Sequence, residues 1–141
     1  MGDIQEDTKW RELYVLTEHW KSDLLFYKDD LRFLHHLLDK YVIWITKEEN
    51  LELVKGLQKS LHELKLVVES LLEQIAEHQK NLGLLVTLAN MYKEKEANQT
   101  HAQLEERFAT FVKDFRENRK ELFRLSDYII DSEEMANIFN D

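Results

Sequence analysis

The chain reads as an all-α protein: an elongated, antiparallel, up-down-up bundle of three long helices with coiled-coil packing and a short further helix near its C-terminal end. Three observations predict this. Apolar residues recur at alternating spacings of three and four over tens of residues, as in helices that keep one seam against a neighbour. Proline is absent and glycine occurs only three times, so the strongest helix breakers are nearly missing. Charged residues make up 33% of the chain, enough to solvate the outward faces of such helices. A length of 141 residues suits one domain, residues 1–141, with a core of its own.

The first seam covers residues 10–45, from Trp10 through Leu24 and Leu38 to Ile45, and loses apolar character only at Thr17. The second covers residues 54–92 and breaks only at His78. The third covers residues 104–129 and breaks at Asn118. Boundaries come from capping chemistry. Thr46-Lys47-Glu48-Glu49 and Thr100-His101-Ala102-Gln103 both have the hydroxyl and the Glu or Gln three residues on that open a helix. The predicted helices span about residues 8–45, 47–97 and 101–130. Asp131 with Glu134 repeats the cap, which predicts a kink and a short helix over 132–139 carrying Met135, Ile138 and Phe139. Gly56 and Gly83 stand alone inside helix 2, where they are expected to allow close packing or a slight bend.

Short turns make consecutive helices antiparallel neighbours. Facing positions then share a constant sum. Leu38 with Leu57, Leu31 with Leu64 and Trp20 with Ile75 all sum to 95, so the turn at Thr46 and both seams agree on one hairpin. The same rule sets Thr17 opposite His78. Reflecting helix 3 through a turn near residues 97–100 brings Asn118 within about one layer of His78, so the three polar breaks are expected on one level of the bundle.

A polar layer of this kind commonly specifies register, and on that ground His78→Leu is expected to leave the protein folded and as stable or more so. The functional alternative is a small-molecule- or metal-binding bundle centred on Thr17, His78 and Asn118. No metal, cofactor or catalytic set is expected. A di-iron bundle needs two Glu-x-x-His motifs, and no glutamate stands three residues before any of the six histidines. His19 with Asp23 and His35 with Asp39 have metal-sharing spacing but offer two ligands each, off the seam, and read as surface hydrogen bonds. Phosphate loops and nucleophile elbows are absent from the sequence.

A net charge of −9 spread along the whole chain disfavours nucleic acid and anionic membranes as partners. The most basic stretch, residues 116–124, is interrupted by Glu117 and Glu121. With no cysteine, no signal-like start and no apolar run near the ~20 residues that span a bilayer, a cytoplasmic location is expected. One feature exceeds what a three-helix bundle requires. Phe26, Phe33, Leu37 and Trp44 form a second apolar stripe on helix 1, about a quarter-turn from the seam. Such stripes mark protein–protein contacts. The expected function is therefore a non-enzymatic module that pairs with itself as a homodimer or serves as an adaptor or scaffold for another helical protein.

Overall fold

The computed structural model describes residues 2–88 and 94–133, with side chains over 8–87 and 94–133. They form three helices, α1 (Gly2–Val42), α2 (Glu48–Leu88) and α3 (Glu94–Ser132), and among the described residues there is no strand. The architecture is a three-helix bundle. The described residues group into two compact units, the first drawn from Met1–Tyr27 and Val67–Phe111, the second from Lys28–Leu66 and Val112–Asp141. Each helix contributes one segment to each unit.

In the first unit the core is built from Trp10, Trp20, Leu24, Leu71, Ile75 and Leu82, joined from α3 by Ala97, Leu104 and Phe111. Trp10 packs with Leu82, Leu85 and Ala97, drawing one cluster from all three helices. Antiparallel pairing of α1 and α2 is evident here from Gln79, whose amide donates to the Thr17 hydroxyl at 3.2 Å. In the second unit the buried core is drawn from Leu31, Leu34 and Leu38 of α1, Val54, Leu57 and Leu61 of α2, and Phe115, Leu122 and Ile129 of α3. Gln58 donates to Asp39 at 3.0 Å. Both pairs fall within two positions of the constant sum that the seams predict.

The α1–α2 connection falls where capping chemistry puts it, but its cap differs. Lys47 is the capping residue, since its carbonyl accepts the Asn50 and Leu51 N–H groups at 3.1 Å each. Thr46 does not fold back on α2. Its hydroxyl donates instead to Glu133 at 2.6 Å, and the Glu133 carboxylate also accepts the Lys47 N–H at 2.8 Å. A carboxylate from the end of α3 thus occupies the positive end of the α2 dipole.

The boundary between helices 2 and 3 departs from expectation. α2 ends at Leu88 and α3 already begins at Glu94, so Thr100-His101-Ala102-Gln103 lies inside a helix and is not its start. Pairing of His78 with His101 and of Gln74 with Arg107 puts the α2–α3 register about 17 residues from the one predicted, on the order of 25 Å along a helix axis. Residues 89–93, between the two helices, include no glycine or proline. Asn90 is the one residue among them that sequence rules associate with turns, a weaker mark than the capping-box pattern at Thr100. The seam itself held the better signal, because His101 and Ala97 extend it backward from Leu104 at spacings of three and four, and both are buried. Asp131 is helical within α3, which continues to Ser132; Met135, Ile138, Phe139 and the predicted short helix fall outside the described residues, as do Ala89 and Tyr92.

Candidate functional site

The most concentrated buried polar chemistry lies in the first unit, at the level of Thr17. Five side chains meet there: Thr17 and Trp20 from α1, His78 and Gln79 from α2, and His101 from α3. Thr17 is fully buried and its hydroxyl donates to the Tyr14 carbonyl at 2.6 Å, the ordinary way a threonine inside a helix satisfies its donor. The same oxygen accepts from Gln79, which also donates to the Glu18 carboxylate at 2.6 Å. Trp20 lies stacked on the His101 ring with centroids 4.8 Å apart.

Two imidazoles form the centre. His78 is 1% exposed and His101 6%, and His78 Nε2 lies 3.1 Å from His101 Nδ1. Their ring centroids are 5.3 Å apart, so the rings stand nearly end to end and each nitrogen is aimed at the other. That arrangement suits one shared N–H donated by either ring. It does not suit chelation, in which both lone pairs converge on a third point. Among the described residues no group of three or more His, Cys, Asp or Glu could hold a metal ion. The outer nitrogens, His78 Nδ1 and His101 Nε2, are buried without a protein partner. Burial lowers the pKa of both rings, that of His78 to about 4 with a further contribution from His101, while Glu105 partly restores that of His101.

Asn118 does not join this level. It belongs to the second unit, half-buried, and its amide donates to the Asp114 carbonyl one turn back at 2.8 Å. The shifted α3 register is the reason: with α3 beginning already at Glu94, the residue of α3 that meets His78 is His101. Thr17 and His78 are brought to one level, whereas His101 and Gln79 were not singled out by the sequence. His101 was legible as a seam position; Gln79 was not, because it lies beside the seam.

A cleft of about 320 Å³ opens beside His78 between α2 and α3, lined among others by Gln74, Glu77, Asn81, Thr100 and Arg107. Arg107 donates to Gln74 across it. A second, apolar cleft of about 410 Å³ lies between α1 and α2 of the same unit, along Tyr14, Val15, Gly83 and Val86.

Of the four side chains singled out on helix 1, the three aromatic ones are exposed, and Trp44 stands just past the end of α1. In the first unit Phe26 is 66% exposed, its ring edge-on to Tyr27 at 5.9 Å. In the second unit Phe33 is 57% exposed, Trp44 is exposed beside Ile43, and Leu37 is half-buried. Among the described residues no helix is long and apolar enough to cross a membrane. Comparison with protein-family models, with curated proteins and with solved structures finds no match to this chain.

Proposed function

We propose that the chain is a non-enzymatic helical module that works through protein–protein contacts, with a second copy of itself as first partner and another helical protein as the alternative. The observation that carries this reading is the exposure of Phe26 in the first unit and Phe33 in the second, at 66% and 57%. Leaving such side chains in water forgoes roughly 1.5–3 kcal/mol of burial apiece. Aromatic side chains left outside a core are also what interfaces enrich. The net charge of −9 makes a nucleic acid or an anionic membrane an unfavourable partner. The absence of cysteine is in keeping with a cytoplasmic setting. Against catalysis stands the chemistry of the buried polar level, where the one hydroxyl already donates to its own helix and no carboxylate is buried.

Sedimentation of the full chain tests this. Phe26→Glu with Phe33→Glu is expected to halve the mass of the wild-type species while leaving helicity by circular dichroism nearly unchanged. A wild type that sediments as a monomer at ~100 μM would rule out the homodimer, since only affinities weaker than that concentration would escape detection. The adaptor reading would then stand on capture of a partner by the wild type and its loss in the double variant.

The cleft beside His78 favours a second reading, a bundle that binds a small polar molecule. Arg107 and Glu77 there offer one charge of each sign among amide groups. Native mass spectrometry of the chain purified from its own cells tests it, with an added small-molecule mass expected and an unadorned chain mass overturning it.

A further inference from the structure

We propose that the His78–His101 pair is a proton-operated latch, closing the α2 and α3 segments of the first unit while both imidazoles are neutral and opening them once the pair takes up a proton. In the neutral pair one N–H lies between two nitrogens 3.1 Å apart, the second N–H sits on one outer nitrogen, and Trp20 covers one ring. An added proton must go to the outer nitrogen left bare, His78 Nδ1 or His101 Nε2 according to which ring donates. Both are buried and neither has a protein acceptor, so the charge enters the core without a hydrogen bond to carry it. A second proton would leave N–H groups pointing at each other across the same gap and two like charges side by side.

The surrounding charges do not remove this cost. From α3, Glu105 favours the charged form of His101, but not enough to cancel its burial. On the cleft side of His78, Glu77 from α2 and Arg107 from α3 oppose each other in sign. From α1 the facing groups are Thr17 and Trp20, and the nearby Glu18 carboxylate is held by Gln79. The cleft beside His78 lies between the same two segments, and its widening as α2 and α3 separate lets water reach both rings and relieves the buried charge.

The direction with pH follows from linkage. In the unfolded or opened chain an imidazole has its ordinary value of about 6.5, while His78 in the closed unit is held at about 4. Protons therefore bind the open form in preference. The stabilisation is present above pH ~6.5 and is lost as pH falls from there towards 4. For His78 alone, those two values make opening about 30-fold more favourable at pH 5 than at pH 8. His101, shifted the same way, adds to it.

Hydrogen exchange of the full chain, read by mass spectrometry and corrected for the intrinsic pH dependence of amide exchange, tests the latch. Peptides around residues 78 and 101 are expected to lose about 30-fold or more of their protection between pH 8 and pH 5. His78→Gln with His101→Gln, which keeps two hydrogen-bonding side chains and removes both titrations, is expected to abolish that loss. Equal losses in wild type and variant would overturn the proposal. Should the variant not fold, proton NMR of the wild-type imidazoles decides: both rings are expected to titrate below the ordinary value, and a midpoint near 6.5 for either would overturn the latch.

Discussion

The carboxylate of Glu133 accepts a hydrogen bond of 2.6 Å from the hydroxyl of Thr46, across 87 positions of sequence. Its other oxygen takes the Lys47 N–H at 2.8 Å and the Asn50 amide at 2.9 Å, so one side chain from the end of α3 ties down the α1–α2 turn. These hydrogen bonds, the one from Thr46 foremost, hold the Glu133 carboxyl well below the usual carboxylate range, at about 2.

Glu133→Gln is therefore expected to lower the thermal midpoint at pH 7. The sign with pH is that of a depressed carboxylate. Its contribution is full above pH ~4.5 and disappears as pH falls towards 2. The difference between wild type and variant in thermal unfolding should accordingly narrow over that window. A gap that stays constant from pH 6 to pH 2 would show that the charge is not what matters.

His78→Leu is expected to cost about 1–3 kcal/mol at pH 7, because it leaves the buried His101 Nδ1 without its partner. This differs from the neutral or favourable effect expected from the sequence, where no neighbour for His78 but Thr17 and Asn118 was in view. Replacing both rings, His78→Leu with His101→Leu, removes the orphaned group and is expected to come close to neutral. Denaturant unfolding of the two singles and the double closes the cycle, and simple additivity would mean that the rings do not interact.

A methyl group added at Gly56 or Gly83 would meet nothing within 4 Å. Neither glycine is needed for close packing, which corrects that one of the two roles expected from the sequence. Gly56→Ala, inside α2 past its first two turns, is expected to raise stability by roughly 0.5–1 kcal/mol, through helix propensity alone. Chemical denaturation would register it as a higher midpoint with an unchanged slope.

Leu71 is fully buried in the first unit, and Leu66, five residues earlier on the same helix, is half exposed in the second. Truncating Leu71 to Ala should cost about 2–5 kcal/mol by lost transfer energy and the cavity left behind. Leu66→Ala should stay within about 0.5 kcal/mol of wild type, as surface changes do. Comparable losses at the two sites, measured by denaturant unfolding, would mean that Leu66 is covered in solution.

The sequence by itself determined the helical class, the buried seams and the α1–α2 register. These rest on local physics: a period that sorts apolar from polar residues, and a connection between Val42 and Glu48 short enough to set α1 and α2 side by side. It also singled out Thr17 and His78 as core polar residues and Phe26 and Phe33 as surplus apolar ones, because a break in a seam and a residue outside it are both visible in the spacing. Only the tertiary structure decided which residue of α3 meets His78. A seam repeats every few residues, so it is compatible with many axial offsets, and nothing in residues 89–93 is a strong enough breaker to choose among them. The offset came instead from where α3 begins, at Glu94, which brought His101 to His78 and left Asn118 bonded to its own helix. For the same reason the role of Glu133 was hidden: a cap supplied from 86 positions away leaves no local pattern to read.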